Sequence, residues 1–146
     1  MENIKIAIGS DHGGFELKKK IVDYLKRNNF KFKDFGTFTN ESCDYPVFAK
    51  EVALKVAKGD FNKGILICGT GIGVSIVANK VKGIRAALCF DTFCAEMSRA
   101  HNNANILCLG QRVIAEDLAL EIVDVWLRSE FEGGRHEKRV EMIESG

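Results

Sequence analysis

The segment Ile65-Leu66-Ile67-Cys68-Gly69-Thr70-Gly71-Ile72-Gly73-Val74-Ser75 passes in one step from a continuous apolar run to three glycines within five positions. A short apolar run without polar alternation fits a strand covered on both faces, as in a parallel sheet. The glycines let the main chain turn sharply and aim successive N–H groups at one place. Ile72 to Val81 then reads as a helix, and a helix N-terminus favours negative charge. Strand, turn and helix together predict a cradle for an anion, or for an oxygen that becomes one, with the thiol of Cys68 at its lip. A thiol facing amide donors and a helix N-terminus has its thiolate form favoured.

The rest of the chain repeats the strand–helix alternation. Ile4 to Gly9 is a strand that turns at Ser10-Asp11-His12-Gly13-Gly14, and Leu17, Ile21 and Leu25 follow at helical spacing. Phe30 to Phe35 alternates as a second strand, less symmetrically buried, and a polar loop runs from Thr37 to Tyr45. Pro46 suits a helix start, with Phe48, Val52 and Val56 at intervals of four up to Gly59. After the glycine segment and its helix come a strand over Ile84–Phe90, a short helix over Thr92–Ala100 and a strand over Asn105–Gly110. Leu118, Ile122, Val125 and Trp126 mark a long amphipathic helix, and a charged helix ends near Glu144. This order predicts an α/β fold, a Rossmann-like doubly wound sandwich whose five-stranded, mainly parallel sheet is followed by a C-terminal helix. Residues 1–146 are the size of one domain.

Ligands of such sheets sit outside the carboxyl ends of the strands. Asp11 and His12, the loop from Cys68 to Ser75, and His101 with Asn102 are expected to converge on that rim. Arg135 and Arg139, four apart, share a helix face and together could grip a dianion, although the usual reading of such a pair is a solvated face exchanging with Glu137 and Glu141; Arg112 is a further unplaced cation.

The composition narrows what the cradle can hold. A formal net charge of +1 offers no global attraction for nucleic acid or a membrane surface, so anion binding has to be local. No apolar run approaches the roughly 18 residues of a membrane span, and no secretory leader is evident, so a cytoplasmic location is expected. The five cysteines include no C-x-x-C pair and no zinc-finger spacing with histidine, which argues against a disulfide framework, a structural zinc or a thiol redox centre. Cys89 and Cys108 lie in apolar runs and are expected as small buried hydrophobes. Placing Gly69 and Gly71 on G-x-G-x-x-G puts Val74 where the third glycine belongs, and neither a P-loop lysine nor a G-x-S-x-G elbow is present. An oxyanion cradle built of backbone amides survives this elimination, beside the plainer reading of a tight turn with no ligand.

A series of motifs carries a more specific resemblance. Gly9-Ser10-Asp11-His12-Gly13-Gly14-Phe15, Gly36-Thr37 with Asp44-Tyr45-Pro46, Gly64 to Gly73, Asn79-Lys80, Gly83-Ile84-Arg85-Ala86, His101-Asn102, Gly110-Gln111-Arg112 and Glu132-Gly133-Gly134-Arg135-His136 together resemble the type B ribose-5-phosphate isomerases. The likeness runs in order along nearly the whole chain. It implies interconversion of ribose 5-phosphate and ribulose 5-phosphate without metal or organic cofactor, in a homodimer or a dimer of dimers that shares site residues across its interface. It also implies residue roles. Cys68 would be the base, and the amides of Gly69, Thr70, Gly71, Gly73 and Ser75 the oxyanion hole. His101 would open the furanose ring, with Asp11 assisting. His12, Arg112, Arg135 and Arg139 would contact phosphate and sugar, with Asn102, Thr70 and Tyr45 near the substrate. The same resemblance extends to isomerases of allose 6-phosphate and galactose 6-phosphate, and a non-catalytic sugar-phosphate-binding subunit is the alternative outside enzymes.

Overall fold

Five short strands lie side by side in the computed structural model, which describes residues 3–145. They are β1 (Lys5–Ser10), β2 (Lys31–Asp34), β3 (Lys63–Cys68), β4 (Ala86–Leu88) and β5 (Ile106–Gly110). All pairings are parallel, in the order β2-β1-β3-β5-β4. Six helices connect or follow them: α1 (Phe15–Arg27), α2 (Tyr45–Ala57), α3 (Ile72–Asn79), α4 (Thr92–Ala100), α5 (Glu116–Arg128) and α6 (Arg135–Glu144). Among the described residues, no helix is long and apolar enough to cross a membrane.

The period-two geometry of the central strands divides the core into two layers. Ile6, Ile8, Ile65, Ile67, Leu107 and Leu109 point to one face, where α1, α4 and α5 supply Ile21, Leu25, Ala95, Ile122 and Trp126. Ala7, Leu66, Cys68, Ile106 and Cys108 point to the other, against Ala49, Val52, Ala53 and Val56 of α2 and Val74 and Ala78 of α3. Both faces are covered, which explains why β3 and β5 read as unbroken apolar runs. Cys89 and Cys108 are buried free thiols, and burial pushes Cys89 up to about 11 and Cys108 well above the usual thiol range.

Edge strands are shorter than their patterns. β4 pairs only over Ala86–Leu88 because its start is diverted: the Ile84 amide donates to Val81, and the Asn79 side chain grips both the N–H and the C=O of Ala86. On the opposite edge, the buried Lys18 ammonium donates to Asp34 Oδ1 and to the Thr37 carbonyl, each at 2.6 Å. That clamp holds residues 34–37 against the end of β1, where Ser10 and Gly36 or Thr37 exchange main-chain hydrogen bonds of 2.8 and 2.7 Å.

Lys63, at the start of β3, is lowered from 10.5 to about 8, first by burial and then by Arg99, with Glu130 opposing. The unfolded chain therefore holds this proton over a pH range in which the folded chain has released it, so the group's contribution to stability rises from about pH 8 to 10.5. Replacing Lys63 by Met should raise Tm more at about pH 7 than at about pH 10. Scanning fluorimetry of both proteins at the two pH values measures this, and an equal gain at both would contradict the assignment.

Candidate active site

β1 and β3 are neighbours, yet the chain leaves β1 toward α1 on one face and β3 toward α3 on the other. This divergence opens a crevice at their carboxyl ends. Asp11, Tyr45, Cys68, Thr70, Gly73 and Arg112 line a cavity of about 460 Å³ there. Cys68 is the last residue of β3, almost buried, and its Sγ accepts a hydrogen bond from the Gly71 amide at 3.1 Å. Among the described residues, the amides of Gly69, Thr70, Gly73 and Val74 donate to no protein group. These amides lie along the loop expected to form the cradle. The Ser75 amide already donates to Gly71 O at 3.2 Å and its hydroxyl to Ile72 O at 2.7 Å, so Ser75 belongs to the first turn of α3.

The surrounding loops press close. A Cβ on Gly110 would lie 2.5 Å from the Thr70 carbonyl carbon and oxygen, and Gly71 adopts φ +80° where a Cβ would meet Leu88 at 2.5 Å. The Arg112 amide donates to Gly69 O at 3.0 Å, and its guanidinium lies over Gly69. From β1, the buried Asp11 accepts the Gly14 amide through Oδ1 at 3.1 Å, so it caps the turn beneath the cavity it lines. His12 Nδ1 accepts the Cys43 amide at 3.1 Å, which leaves the proton of its neutral ring on Nε2. The Tyr45 ring packs against Gly73, where a Cβ would fall 2.6 Å from Cε1.

His101, Asn102, Arg135 and Arg139 do not join this rim within the chain. A helix covering a parallel sheet runs against the strands. α4 therefore starts beyond the carboxyl end of β4 and brings its C-cap, His101, to the amino end of β5. The expected convergence of all polar loops on one edge thus fails for this helix, and the chain carries two polar clusters on opposite edges of its sheet. In the second cluster the His101 ring stacks on His136, with centroids 4.0 Å apart and planes at 11°. Glu132 Oε1 lies 3.7 Å from His101 Nε2 and 3.6 Å from His136 Nε2. His136 is buried, and that burial, with His101, Arg135 and Arg139 nearby, holds its imidazole below the ordinary value against the pull of Glu132. Glu132 and His136 had no role assigned from sequence; their spacing of four beside two arginines was the available signal.

Residues 6–143 match the Ribose/Galactose Isomerase family. The chain is 52% identical over 139 residues to the Ribose-5-phosphate isomerase B of Escherichia coli, covering 95% of this chain and 93% of that one. The chain belongs to the Ribose/Galactose Isomerase family. Its structure superposes on that of Clostridium thermocellum Ribose-5-Phosphate Isomerase B with a TM-score of 0.96, at 58% identity and coverage of 97% and 96%. A D-erythrulose-4-phosphate isomerase of Pectobacterium atrosepticum is 47% identical over 141 residues, 96% of this chain and 93% of its own. The chain is therefore an isomerase of sugar phosphates rather than a redox protein.

Arg85 ties the second cluster together. Its Nε donates to the carbonyls of Asn102 and Asn103 at 3.2 and 3.0 Å, while Nη1 pairs with Glu144 at the far end of α6. One guanidinium thus joins the turn after His101 to the helix bearing Arg135 and Arg139. In Arg85→Gln the amides of α6 should exchange roughly five- to thirtyfold faster, the equivalent of 1–2 kcal/mol of local stability. Hydrogen exchange measured by mass spectrometry reads this directly, and unchanged α6 protection would remove Arg85 from that role.

Proposed function

We propose that the protein interconverts D-ribose 5-phosphate and D-ribulose 5-phosphate in the cytoplasm through an enediolate, with Cys68 as the base. The observation that carries this reading is the Cys68 sulfur at the cavity wall, 3.1 Å from the Gly71 amide, beside a row of amides with no protein partner. Removing a proton next to a carbonyl moves charge onto oxygen, and preorganised amides aimed at that oxygen lower the barrier. The thiolate takes the proton from one carbon of the C1–C2 pair and returns it to the other, while the sugar hydroxyl and carbonyl exchange their proton. Gly69, Thr70 and Gly73 hold the oxyanion. No electron leaves the substrate, so the step needs no redox cofactor.

The cyclic sugar has to open first. His101 takes this role with Asp11 at the ring oxygen or hydroxyls, and because His101 lies on the opposite edge, it comes from a second copy of the chain. Exposed Ile72 and Ile76 on α3, beside the cavity, support a partner covering this rim. In this dimer, or in a dimer of dimers, His12 and Arg112 of one chain and Arg135 and Arg139 of the other grip the phosphate, with Asn102 and Tyr45 against the sugar. Binding energy from the unreacting phosphate offsets the cost of orienting the open chain.

Two measurements test the reading. Cys68→Ala should lose about 10²- to 10⁴-fold in kcat on ribose 5-phosphate while still binding it, and near wild-type turnover would refute the assigned base. Cys68→Ala and His101→Ala, each inactive alone, should recover about one quarter of wild-type activity when unfolded and refolded together, because half the dimers then carry one intact site. Absence of any recovery would place both residues in a site made by one chain. A panel of four-, five- and six-carbon phosphates, read as kcat/KM, tests the chain length of the substrate.

A further inference from the structure

We propose that His101, Glu132 and His136 form an inhibitory binding site for zinc or a like divalent transition metal. Two imidazoles and a carboxylate are the donor set that suits such ions, in contrast to the all-oxygen sets of calcium and magnesium. Each residue offers one ligand atom, and the three lie within 4.8 Å of one another. Glu132 stands 3.7 and 3.6 Å from the two imidazole nitrogens. Zinc bonds of about 2.1 Å set tetrahedral ligands roughly 3.4 Å apart, so these two edges close with shifts of a few tenths of an ångström.

A second, independent observation points to a ligand. His136 Nε2 is fully buried and has no hydrogen-bond partner, although it faces the Glu132 carboxylate. Buried polar atoms are rarely left in this condition. Burial and the neighbouring cations also favour the neutral imidazole, the form that coordinates metal. The one geometric adjustment falls on the more exposed members. The stacked rings point their in-plane lone pairs side by side, and convergence needs the half-exposed His101 ring to rotate and the exposed Glu132 to follow. His136 stays fixed. Arg135 and Arg139 oppose a dication, and the Glu132 carboxylate offsets part of that charge, as would a phosphate oxygen in the fourth position.

The consequence rests on the proposed role of His101, whereas the binding itself does not. Zinc on the His101 lone pair removes the group that opens the furanose, so filling the site slows turnover of cyclic substrate and a chelator restores it. The metal is a brake and takes no part in the reaction.

Zinc sulfate titrated into the intact protein by calorimetry, with cobalt(II) as the spectroscopic probe, tests the site. One equivalent per chain should bind, with the visible spectrum of a tetrahedral nitrogen–oxygen site and no thiolate charge-transfer band. Loss of an outer-shell partner already costs metal affinity about tenfold, so losing a direct ligand in Glu132→Gln or His136→Gln should cost at least that. Glu132 is exposed, so its variant tests the site even where the buried His136 variant does not fold. No uptake, uptake unchanged in Glu132→Gln, or a thiolate band would overturn the proposal. Zinc should also inhibit ribose 5-phosphate turnover over the concentrations that fill the site, and Glu132→Gln should keep its own rate there. Turnover untouched by full occupancy would overturn the inhibitory role. Zinc binding without any turnover would leave the site standing and count against the proposed reaction.

Discussion

A parallel sheet obliges its covering helices to run backward, and the placement of chemistry in this protein depends on that constraint. β3 delivers Cys68 to the carboxyl edge, while α4 carries His101 back to the amino edge. With strands of five or six residues at about 3.3 Å each, the two edges lie roughly 16–20 Å apart. No side chain bridges that span. A reaction using both residues has to draw them from different chains, so activity in this reading is conditional on assembly. In that reading the exposed apolar residues of α3 and the tightly braced His101–α6 unit are two halves of one requirement.

The carboxyl edge is shaped by backbone lying on backbone. Gly14 passes so near Ile67 that a Cβ would fall 2.6 Å from its carbonyl oxygen, and Gly110 meets Thr70 just as closely. Such contacts leave no room for side chains and fix the direction of the amides that follow Cys68. Preorganisation of this kind matters because an oxyanion hole acts through donors that need not move as charge develops. The first loop contributes in the same manner: Asp11 caps its own turn, and Lys18 with Asp34 pins the adjoining segment to Ser10. The polar groups at the cavity are thus held in place by the hydrogen bonds of the turns that carry them.

The central strands and the amphipathic helices were legible because burial imposes periodicity. β3 and β5 read as apolar runs, and α1 and α5 showed their inward stripes. β4 is shorter than its pattern, which begins at Ile84, ahead of the point where the Asn79 clamp and the turn at Val81 let its pairing start. At the site, the glycine loop, Cys68 and Asp11 were legible because tight turns demand particular residues. The separation of His101 from Cys68 was not, because order along the chain gives succession, and only the direction of α4 gives the edge. Glu132 and His136 escaped for a similar reason: their meaning lies in the ring of His101, which tertiary packing brings against them.

Charge is distributed in keeping with this division. The whole chain is nearly neutral, so long-range attraction for a phosphate dianion is weak. Among the residues lining the Cys68 cavity Arg112 is the one cation, whereas Arg135 and Arg139 sit together on α6 at the other edge. A lone chain therefore has an amide cradle with little grip on phosphate, and a pair of arginines with no base. In the proposed dimer, pairing two chains would supply phosphate binding and proton transfer in the same event. The binding energy of the phosphate then becomes available only where a complete set of catalytic groups is present to use it.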